Sequence, residues 1–213
     1  MSNIMGPVKS EKVISQMEEK RQNILSCAVK IFVQKGYMNT PVRDIIDASG
    51  YGTSTFYRYF KDKEDLLNTL LLDFLDHIID QVNRYFKQEQ DVHKRFVESK
   101  RVIMEVFAQN PELSEIYSRV AGLSEAVDKI LKEFDDRYLW FVHQNIAYGI
   151  KHGYFKDLPL DPICHSILAM IKYAVHKWVV LKEISSTEMI EMVVDFHRCL
   201  GEGLYAPHAP SGN

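Results

Sequence analysis

Residues 40–66, TPVRDIIDASGYGTSTFYRYFKDKEDL, decide the fold. Their pattern predicts two short helices joined by a tight turn and followed at once by a third helix. Thr40 is expected to cap the first helix, with Pro41 at its first position, where the missing N–H does no harm. Gly50 is expected to end this helix, and Gly52 to turn the backbone sharply into the next one. The stretch therefore predicts a helix-turn-helix.

The second of these helices, residues 53–60, has two different faces. Phe56 and Phe60 are four residues apart and can be buried together. The residues left toward solvent carry hydroxyl, phenol and guanidinium groups: Ser54, Thr55, Tyr57 and Arg58. Such groups donate to phosphates and reach base edges, so this face fits the major groove of DNA. The alternative is a solvated surface helix without a partner.

The segment resembles the N-terminal domain of regulators of the tetracycline-repressor (TetR) family. The resemblance rests on R-x-x-I-L-x-x-A-x-x-x-F-x-x-x-G-Y from Arg21, then V-R-D-I, then A-S-G-Y-G-T-S-T-F-Y-R-Y-F-K-D-K-E-D-L. The sequence departs from the family at Gly52, usually a capping serine, and at Tyr51, usually a small aliphatic residue. The resemblance implies an all-α fold, with an N-terminal three-helix helix-turn-helix domain that binds DNA and a larger helical domain for ligand binding and dimerisation.

The resemblance also implies which residues touch DNA. The positions that match the family's usual contacts are Arg43, Thr53, Ser54, Thr55, Tyr57, Tyr59 and Lys63. Arg58 joins them on physical grounds, since an exposed guanidinium can bind a guanine bidentately. Tyr57 and Lys63 are expected on phosphates, which position a protein without reading sequence. Tyr59 has an alternative place beneath the helix.

Composition and charge limit the function classes. Residues 1–63 hold ten lysines and arginines against six carboxylates, a net charge of +4, whereas the remaining residues hold 16 against 23, a net charge of −7. A basic head on an acidic body fits a protein that docks one end on a polyanion; chance asymmetry is the alternative. No apolar run is long enough to span a bilayer, and the first ten residues lack a hydrophobic signal region, which predicts a cytoplasmic protein.

Chemical signatures of enzymes and metal sites are weak. Three scattered cysteines, Cys27, Cys164 and Cys199, predict reduced and mostly buried thiols without a disulfide framework. No histidine pair has the helical spacing of a zinc site, and no glycine-rich phosphate loop or nucleophile elbow occurs. We expect no metal, no cofactor and no enzymatic activity.

The rest of the chain predicts about nine helices and no strands. The predicted boundaries are a DNA-binding domain with its N-terminal tail at 1–62, a ligand-binding and dimerisation domain at 63–205, and a loose tail at 206–213. Helices are expected at 12–35, 63–87, 91–109, 111–121, 124–152, 161–183 and from residue 186 or 187 to about 204. No Pro/Gly-rich linker follows residue 62, which favours rigid coupling through the long fourth helix.

The middle helices are rich in methionine and aromatic residues. The following residues are candidates to line an apolar ligand cavity: Met104, Phe107, Tyr117, Phe134, Tyr138, Phe141, Asn145, Tyr148, Met170, Tyr173 and His176. His143 and Lys172 are further polar groups that could orient a ligand. Ordinary core packing is the alternative for each. The hypothesis is that an apolar or amphipathic molecule binds there and tilts the fourth helix.

The last two long helices are apolar on more than one side, which predicts a homodimer through them. Two recognition helices then read the half-sites of a palindromic operator. Filling of the monomer core is the alternative for this apolar excess. The sequence thus favours a ligand-released, homodimeric repressor. The rival is an architectural or accessory DNA-binding protein whose second domain only dimerises or meets a protein partner.

Overall fold

The computed structural model describes residues 11–204, within which the chain forms nine helices and no strand, as predicted. The terminal tails predicted at about 1–9 and at 206–213 lie outside the described residues. The helices are α1 Glu11–Lys35, α2 Val42–Ser49, α3 Thr53–Tyr59, α4 Lys63–Gln88, α5 Val92–Gln109, α6 Pro111–Arg119, α7 Glu125–Lys151, α8 Leu160–Val179 and α9 Ser186–Leu204.

The chain divides into two compact units between Leu66 and Leu67, so that the first turn of α4 belongs to the first unit and the rest of α4 to the second. The core of the first unit comes from one stripe on each of its helices. Its fully buried side chains include Ile24, Ala28, Ile45, Phe56 and Phe60. Burial of these stripes stabilises α2 and α3, which are too short to be stable on their own.

The start of α2 differs from the prediction. Thr40 is completely buried, and its hydroxyl donates to the carbonyl of Gly36 at 2.8 Å instead of capping α2. Pro41 is the residue that precedes the helix, and it supplies no side-chain cap. Asp62 precedes the α4 helix and fits the residue types that cap helices; it caps α4, because the Asp65 N–H donates to Oδ1 of Asp62 at 2.7 Å.

The second unit packs its helices largely in pairs, α5 on α9 and α7 on α8, with α8 also against α6 and α9. A partly exposed ion pair connects α5 to α9. The Arg101 guanidinium donates to both carboxylate oxygens of Glu191, at 2.7 and 3.3 Å. These contacts raise the pKa of Arg101 and lower the pKa of Glu191.

The predicted start of α8 is one residue out, and the cap of α9, predicted at Ser186 or Thr187, lies one or two residues earlier. α8 begins at Leu160, before Asp161, and ends at Val179, four residues short of the prediction. α9 begins at Ser186, and its cap is the preceding Ser185, whose hydroxyl accepts from the Glu188 N–H at 3.2 Å while the Glu188 carboxylate accepts from the Ser185 N–H at 2.8 Å. This reciprocal pair is a capping box.

The cysteines are less buried than predicted. Cys164 is buried and Cys27 is half-buried, but Cys199 is exposed. All three are free thiols, as expected.

Candidate nucleic-acid interface and ligand cavity

The recognition helix α3 is anchored by two phenylalanines. Phe56 and Phe60 are each 1% exposed, and their ring centroids are 5.7 Å apart, as the four-residue spacing predicts. Because both rings point into the core of the first unit, the opposite face of α3 is directed to solvent. This packing fixes the orientation of the face that is available to a partner.

The exposed face of α3 consists of hydrogen-bonding groups. Thr53, Ser54, Tyr57 and Arg58 are exposed, and Tyr57 remains 54% exposed although its ring meets that of Phe56 edge-on. Thr55 and Tyr59 are half-buried, so the structure places Tyr59 between its two predicted alternatives. Among the described residues, no hydrogen bond or ion pair engages the Arg58 guanidinium. We call Thr53, Ser54, Thr55, Tyr57 and Arg58 the donor face.

The turn before α3 depends on Gly50 rather than Gly52. Gly50 ends α2 with φ of 72°, in the left-handed region that favours glycine, and its N–H donates to the Asp47 carbonyl. Gly52 has φ of −76° and ψ of 159°, an extended conformation that any residue adopts. Its carbonyl accepts from the Thr55 N–H at 2.9 Å. The sharp turn predicted at Gly52 is therefore made at Gly50.

Two further predicted DNA contacts flank the donor face in sequence. Arg43 is highly exposed at the start of α2 and meets Asp47 one turn later at 3.7 Å. Lys63 is half-buried; its ammonium donates to the Tyr37 carbonyl at 2.9 Å and lies 4.3 Å from the centre of the Tyr37 ring. Burial lowers the pKa of Lys63. Lys63 thus has a structural task beside any contact with phosphate.

The second unit contains a cavity between α4, α5 and α7. The cavity itself has a volume of about 70 Å³, and the space between its walls is about 610 Å³ when the open mouth is counted with it. Four predicted ligand residues, Tyr138, Phe141, Asn145 and Tyr148, are in its wall. The remaining wall residues are Val82, Phe86, Val92, Arg95, Phe96, Ser99, Lys100, Ile103, Val142, Ile146 and Phe155.

A smaller neighbouring pocket of about 240 Å³ collects three other predicted residues. Phe107, Tyr117 and Phe134 line it together with Tyr138, which therefore lies between the two spaces. The Tyr117 hydroxyl donates to Asp135 at 3.0 Å, and the Lys172 ammonium, one of the candidate polar groups, donates to the same carboxylate at 2.7 Å. Lys172 is therefore held in an ion pair on the protein.

The structure does not bring the other four predicted ligand residues to either space. Met104 is fully buried in the core, Met170 and His176 are half-buried on α8, and Tyr173 is 55% exposed on the same helix. α8 contributes only Leu168 and Ile171 to the smaller pocket. The turns of α8 that carry Met170, Tyr173 and His176 thus face elsewhere.

The two cations of the cavity wall, Lys100 and Arg95, were not among the predicted ligand residues. Lys100 is 7% exposed, and burial lowers its pKa to about 8. A signal was present, because Lys100 follows Phe96 by four residues and precedes Phe107 by seven, which puts a lysine inside the apolar stripe of α5. Arg95, one residue before Phe96, is the second cation of the wall.

Next to Lys100 lies a buried histidine. His197 on α9 is completely buried, and its Nδ1 donates to the Val193 carbonyl at 2.6 Å. Burial first, and then the positive charge of Lys100, lower the pKa of His197 to about 3. The imidazole is therefore neutral near pH 7 and adds no charge to this region.

No group of three or more potential metal ligands occurs within residues 11–204. In the same range, none of the helices combines the length and the apolarity that crossing a membrane takes.

The fold and the donor face define a helix-turn-helix DNA-binding protein whose second helical unit holds a cavity. The model of the family described as bacterial regulatory proteins, tetR family, matches residues 24–70. The crystal structure of a putative TetR-family transcriptional regulator from Syntrophomonas wolfei is 55% identical, covers 89% of this chain and 98% of that chain, and has a TM-score of 0.86. The chain belongs to the TetR family of transcriptional regulators.

Two more distant relatives carry functional names. The HTH-type transcriptional repressor KstR2 of Mycobacterium tuberculosis is 28% identical over 156 residues, which are 71% of this chain and 77% of KstR2. The transcriptional regulator FadR from Bacillus subtilis, solved in complex with stearoyl-CoA, is 20% identical, with 83% of this chain and 96% of that chain covered and a TM-score of 0.74. At this identity the likeness to FadR concerns the fold.

Proposed function

We propose that the protein is a cytoplasmic, homodimeric repressor that binds a palindromic operator through α3 and leaves it when a small amphipathic molecule fills the cavity. The observation that carries this proposal is the donor face. Hydroxyl, phenol and guanidinium groups stand exposed on a helix whose other face is locked by Phe56 and Phe60. The similarity to KstR2, which is named a transcriptional repressor, supports repression rather than activation.

The effector is proposed to be an apolar chain or ring with a polar end. The cavity wall is mostly aliphatic and aromatic, with a few polar groups. The complex of FadR with stearoyl-CoA supports an acyl compound as the effector class. Val82 and Phe86 of α4 belong to the wall, and α4 begins four residues after α3 ends. The effector is proposed to bind more tightly to a conformation in which α4 has shifted and the protein no longer fits DNA. It then lowers the affinity for DNA by the ratio of its own affinities for the two conformations.

The dimer is proposed to form through α8 and α9. Tyr173 of α8 is 55% exposed, and Met170, Trp178 and Ile190 are half-buried, an apolar surface that the monomer leaves partly open. Many other apolar residues of these two helices, including Ile167, Ala174 and Val193, are buried within the monomer. The proposed interface therefore consists of the apolar residues of α8 and α9 that the monomer leaves exposed or half-buried.

The test is binding of the purified protein to fragments of its own genome, followed by titration of candidate effectors. We expect the protein to retain a few fragments that share a palindrome and to bind each of them as two protomers. An acyl compound is expected to release these fragments. Arg58→Ala is expected to weaken the preference for those fragments. Retention of no fragment, or equal retention of all fragments, would overturn the proposal.

Dimerisation is measured separately by analytical ultracentrifugation. We expect Trp178→Glu to shift the protein toward monomer and to weaken operator binding with it. Trp140→Glu is the matched control, because Trp140 is 66% exposed but lies on α7. A monomeric native protein, or equal effects of the two substitutions, would contradict the proposed interface.

A further inference from the structure

The cavity wall carries positive charge and has no carboxylate among its lining residues. Its residues include two cations, Lys100 and Arg95, and neither aspartate nor glutamate. The Lys100 ammonium donates to the Phe96 carbonyl at 3.3 Å and to the Ser99 hydroxyl at 3.0 Å, and lies 5.1 Å from the centre of the Phe96 ring. All of these partners are neutral. A buried ammonium in neutral surroundings is costly, and an anion would stabilise it.

Arg95 is likewise held by neutral acceptors. Its guanidinium donates to the carbonyls of Phe86 at 2.6 Å and Glu89 at 2.5 Å, and more weakly to the Gln90 side chain at 3.5 Å. These bonds fix the guanidinium as part of the wall without neutralising it. The positive potential of the two cations therefore acts on whatever enters the cavity.

A third group of the wall also lacks a partner. The Tyr138 side chain is 3% exposed, and its hydroxyl forms no hydrogen bond with the described residues. Burial raises the pKa of Tyr138, so the phenol keeps its proton. A buried hydroxyl that donates to nothing loses its hydration without compensation. An acceptor oxygen on a bound molecule would supply the missing bond.

We propose that the cavity binds a small monocarboxylic acid as its anion, with the carboxylate bound by the Lys100 ammonium and the Tyr138 hydroxyl and the hydrocarbon part against the apolar wall. The inference rests on the proposed function for the role of the cavity as the effector site, and it names the chemical class of the effector. The cavity itself is about 70 Å³ and opens into a wider mouth, so the hydrocarbon part extends along the apolar wall into that mouth. The ammonium and the phenol give the carboxylate two charge-assisted hydrogen bonds.

The titratable groups around Lys100 leave its charge as the dominant one. Cys164 of α8 is buried and its pKa is raised by burial, so it remains a neutral thiol near pH 7. His197 of α9 remains neutral, and Tyr138 of α7 keeps its proton. Arg95 of α5 adds a second positive charge.

The test compares three probes that share one hydrocarbon chain: decanoate, methyl decanoate and decanoyl-CoA. Affinities are measured by calorimetry on the full chain without DNA, so that failure of operator binding does not affect the result. We expect decanoate to bind about tenfold or more tightly than its ester, the difference that one charge-assisted hydrogen bond supplies. Preference for decanoyl-CoA over decanoate would overturn this inference and leave the proposed function standing.

The assignment of residues is tested with substitutions that remove only the polar group. We expect Lys100→Met to weaken decanoate binding by about tenfold or more and to leave the affinity for methyl decanoate unchanged within about twofold. Tyr138→Phe should weaken the binding of both probes, because an ester carbonyl also accepts from the phenol. Lys94→Met, at an exposed position on the same helix, is the control for loss of charge. Thermal unfolding of each variant shows whether it folds.

Each remaining outcome contradicts the inference. Equal loss of acid and ester in Lys100→Met would show that the lysine only supports the wall. An unchanged affinity for decanoate in that variant would exclude Lys100 as the anion site, and so would binding of none of the probes to the native protein. If the native protein binds its operator, the proposed DNA-binding function stands whatever these ligand measurements give.

Discussion

The ring of Phe155 lies against Gly149 so closely that a Cβ atom on Gly149 would overlap it. Phe155 is in the loop between α7 and α8, its N–H donates to the Gly149 carbonyl at 3.2 Å, and its ring meets that of Phe96 edge-on in the cavity wall. A glycine within α7 thus makes room for one wall of the cavity. Glycine is otherwise unfavourable inside a helix by roughly 0.5–1 kcal/mol.

Gly149→Ala is therefore expected to destabilise the protein by about 1–3 kcal/mol, the usual cost of overpacking, in spite of the better helix propensity of alanine. Gly203→Ala is the matched control, because a Cβ there meets no atom within 4 Å; it should be neutral or stabilising. Urea unfolding measures both. If Gly149→Ala combined with Phe155→Ala is no less stable than Phe155→Ala alone, the ring is the cause; an additive loss would contradict this account.

The turn between α2 and α3 makes opposite predictions for its two glycines. Gly50→Ala forces alanine into the left-handed region and should cost on the order of 1 kcal/mol. Gly52→Ser places a hydroxyl at the N-cap of α3, where a Cβ has open space, and should stabilise the first unit by a few tenths of a kcal/mol. Thermal unfolding decides. Destabilisation by Gly52→Ser, or tolerance of Gly50→Ala, would contradict the backbone assignment.

The donor face predicts two kinds of DNA-binding defect. Thr55→Ala and Arg58→Ala should reduce the preference for operator over random DNA, by about 1–3 kcal/mol for each lost base contact. Tyr57→Phe, which removes only an exposed hydroxyl, should weaken binding to both DNAs alike. Fluorescence anisotropy on both DNAs separates the two kinds. Unchanged operator preference in Arg58→Ala would exclude that side chain as a reader.

Lys63 needs a separate control, because its ammonium also binds the Tyr37 carbonyl at 2.9 Å. If Lys63 contacts a phosphate, Lys63→Met should reduce the slope of log affinity against log salt by about one. Lys151→Met removes the same charge from an exposed position of the second unit and should leave the slope unchanged. The folded fraction of Lys63→Met is measured in parallel.

Because His197 is buried as a neutral imidazole, we expect the free energy of unfolding to decrease in acid. Its pKa is about 3 in the folded protein and near 6.5 when unfolded, so between these values the unfolded chain binds more protons. The contribution of the neutral, buried His197 to the free energy of unfolding is fully present above pH 6.5. It is lost as the pH falls toward 3, by on the order of 3–4 kcal/mol. His197→Asn keeps a donor for Val193 but does not titrate. Its unfolding free energy should fall less between pH 6.5 and 4 than that of the native protein; identical pH profiles would contradict the prediction.

Much of the first unit was predictable because its pattern is local. The spacing of Phe56 and Phe60, the cap at Asp62 and the left-handed glycine each follow from a few neighbouring residues. Thr40 was misassigned because its hydroxyl bonds backward to Gly36, a choice set by the end of α1 rather than by α2.

The cavity was predictable only in part because it depends on how distant helices pack. Tyr138, Phe141, Asn145 and Tyr148 follow one another at steps of three or four on α7, and all of them line the wall. α8 is apolar on several sides, so its periodicity does not tell which side meets a cavity, and Tyr173 proved to be exposed. Lys100 was overlooked because lysine is rarely a core residue, although its position in the stripe of α5 marked it.

The central claim is that paired α3 helices read a palindrome in DNA. The most direct measurement is sequencing of the genomic fragments that the purified native protein and its Arg58→Ala variant retain at low ionic strength. We predict that the native protein enriches a two-fold symmetric sequence with half-sites about one helical turn apart, and that the variant enriches that sequence less strongly. An enriched sequence without symmetry, or the same enrichment in the variant, would contradict this prediction.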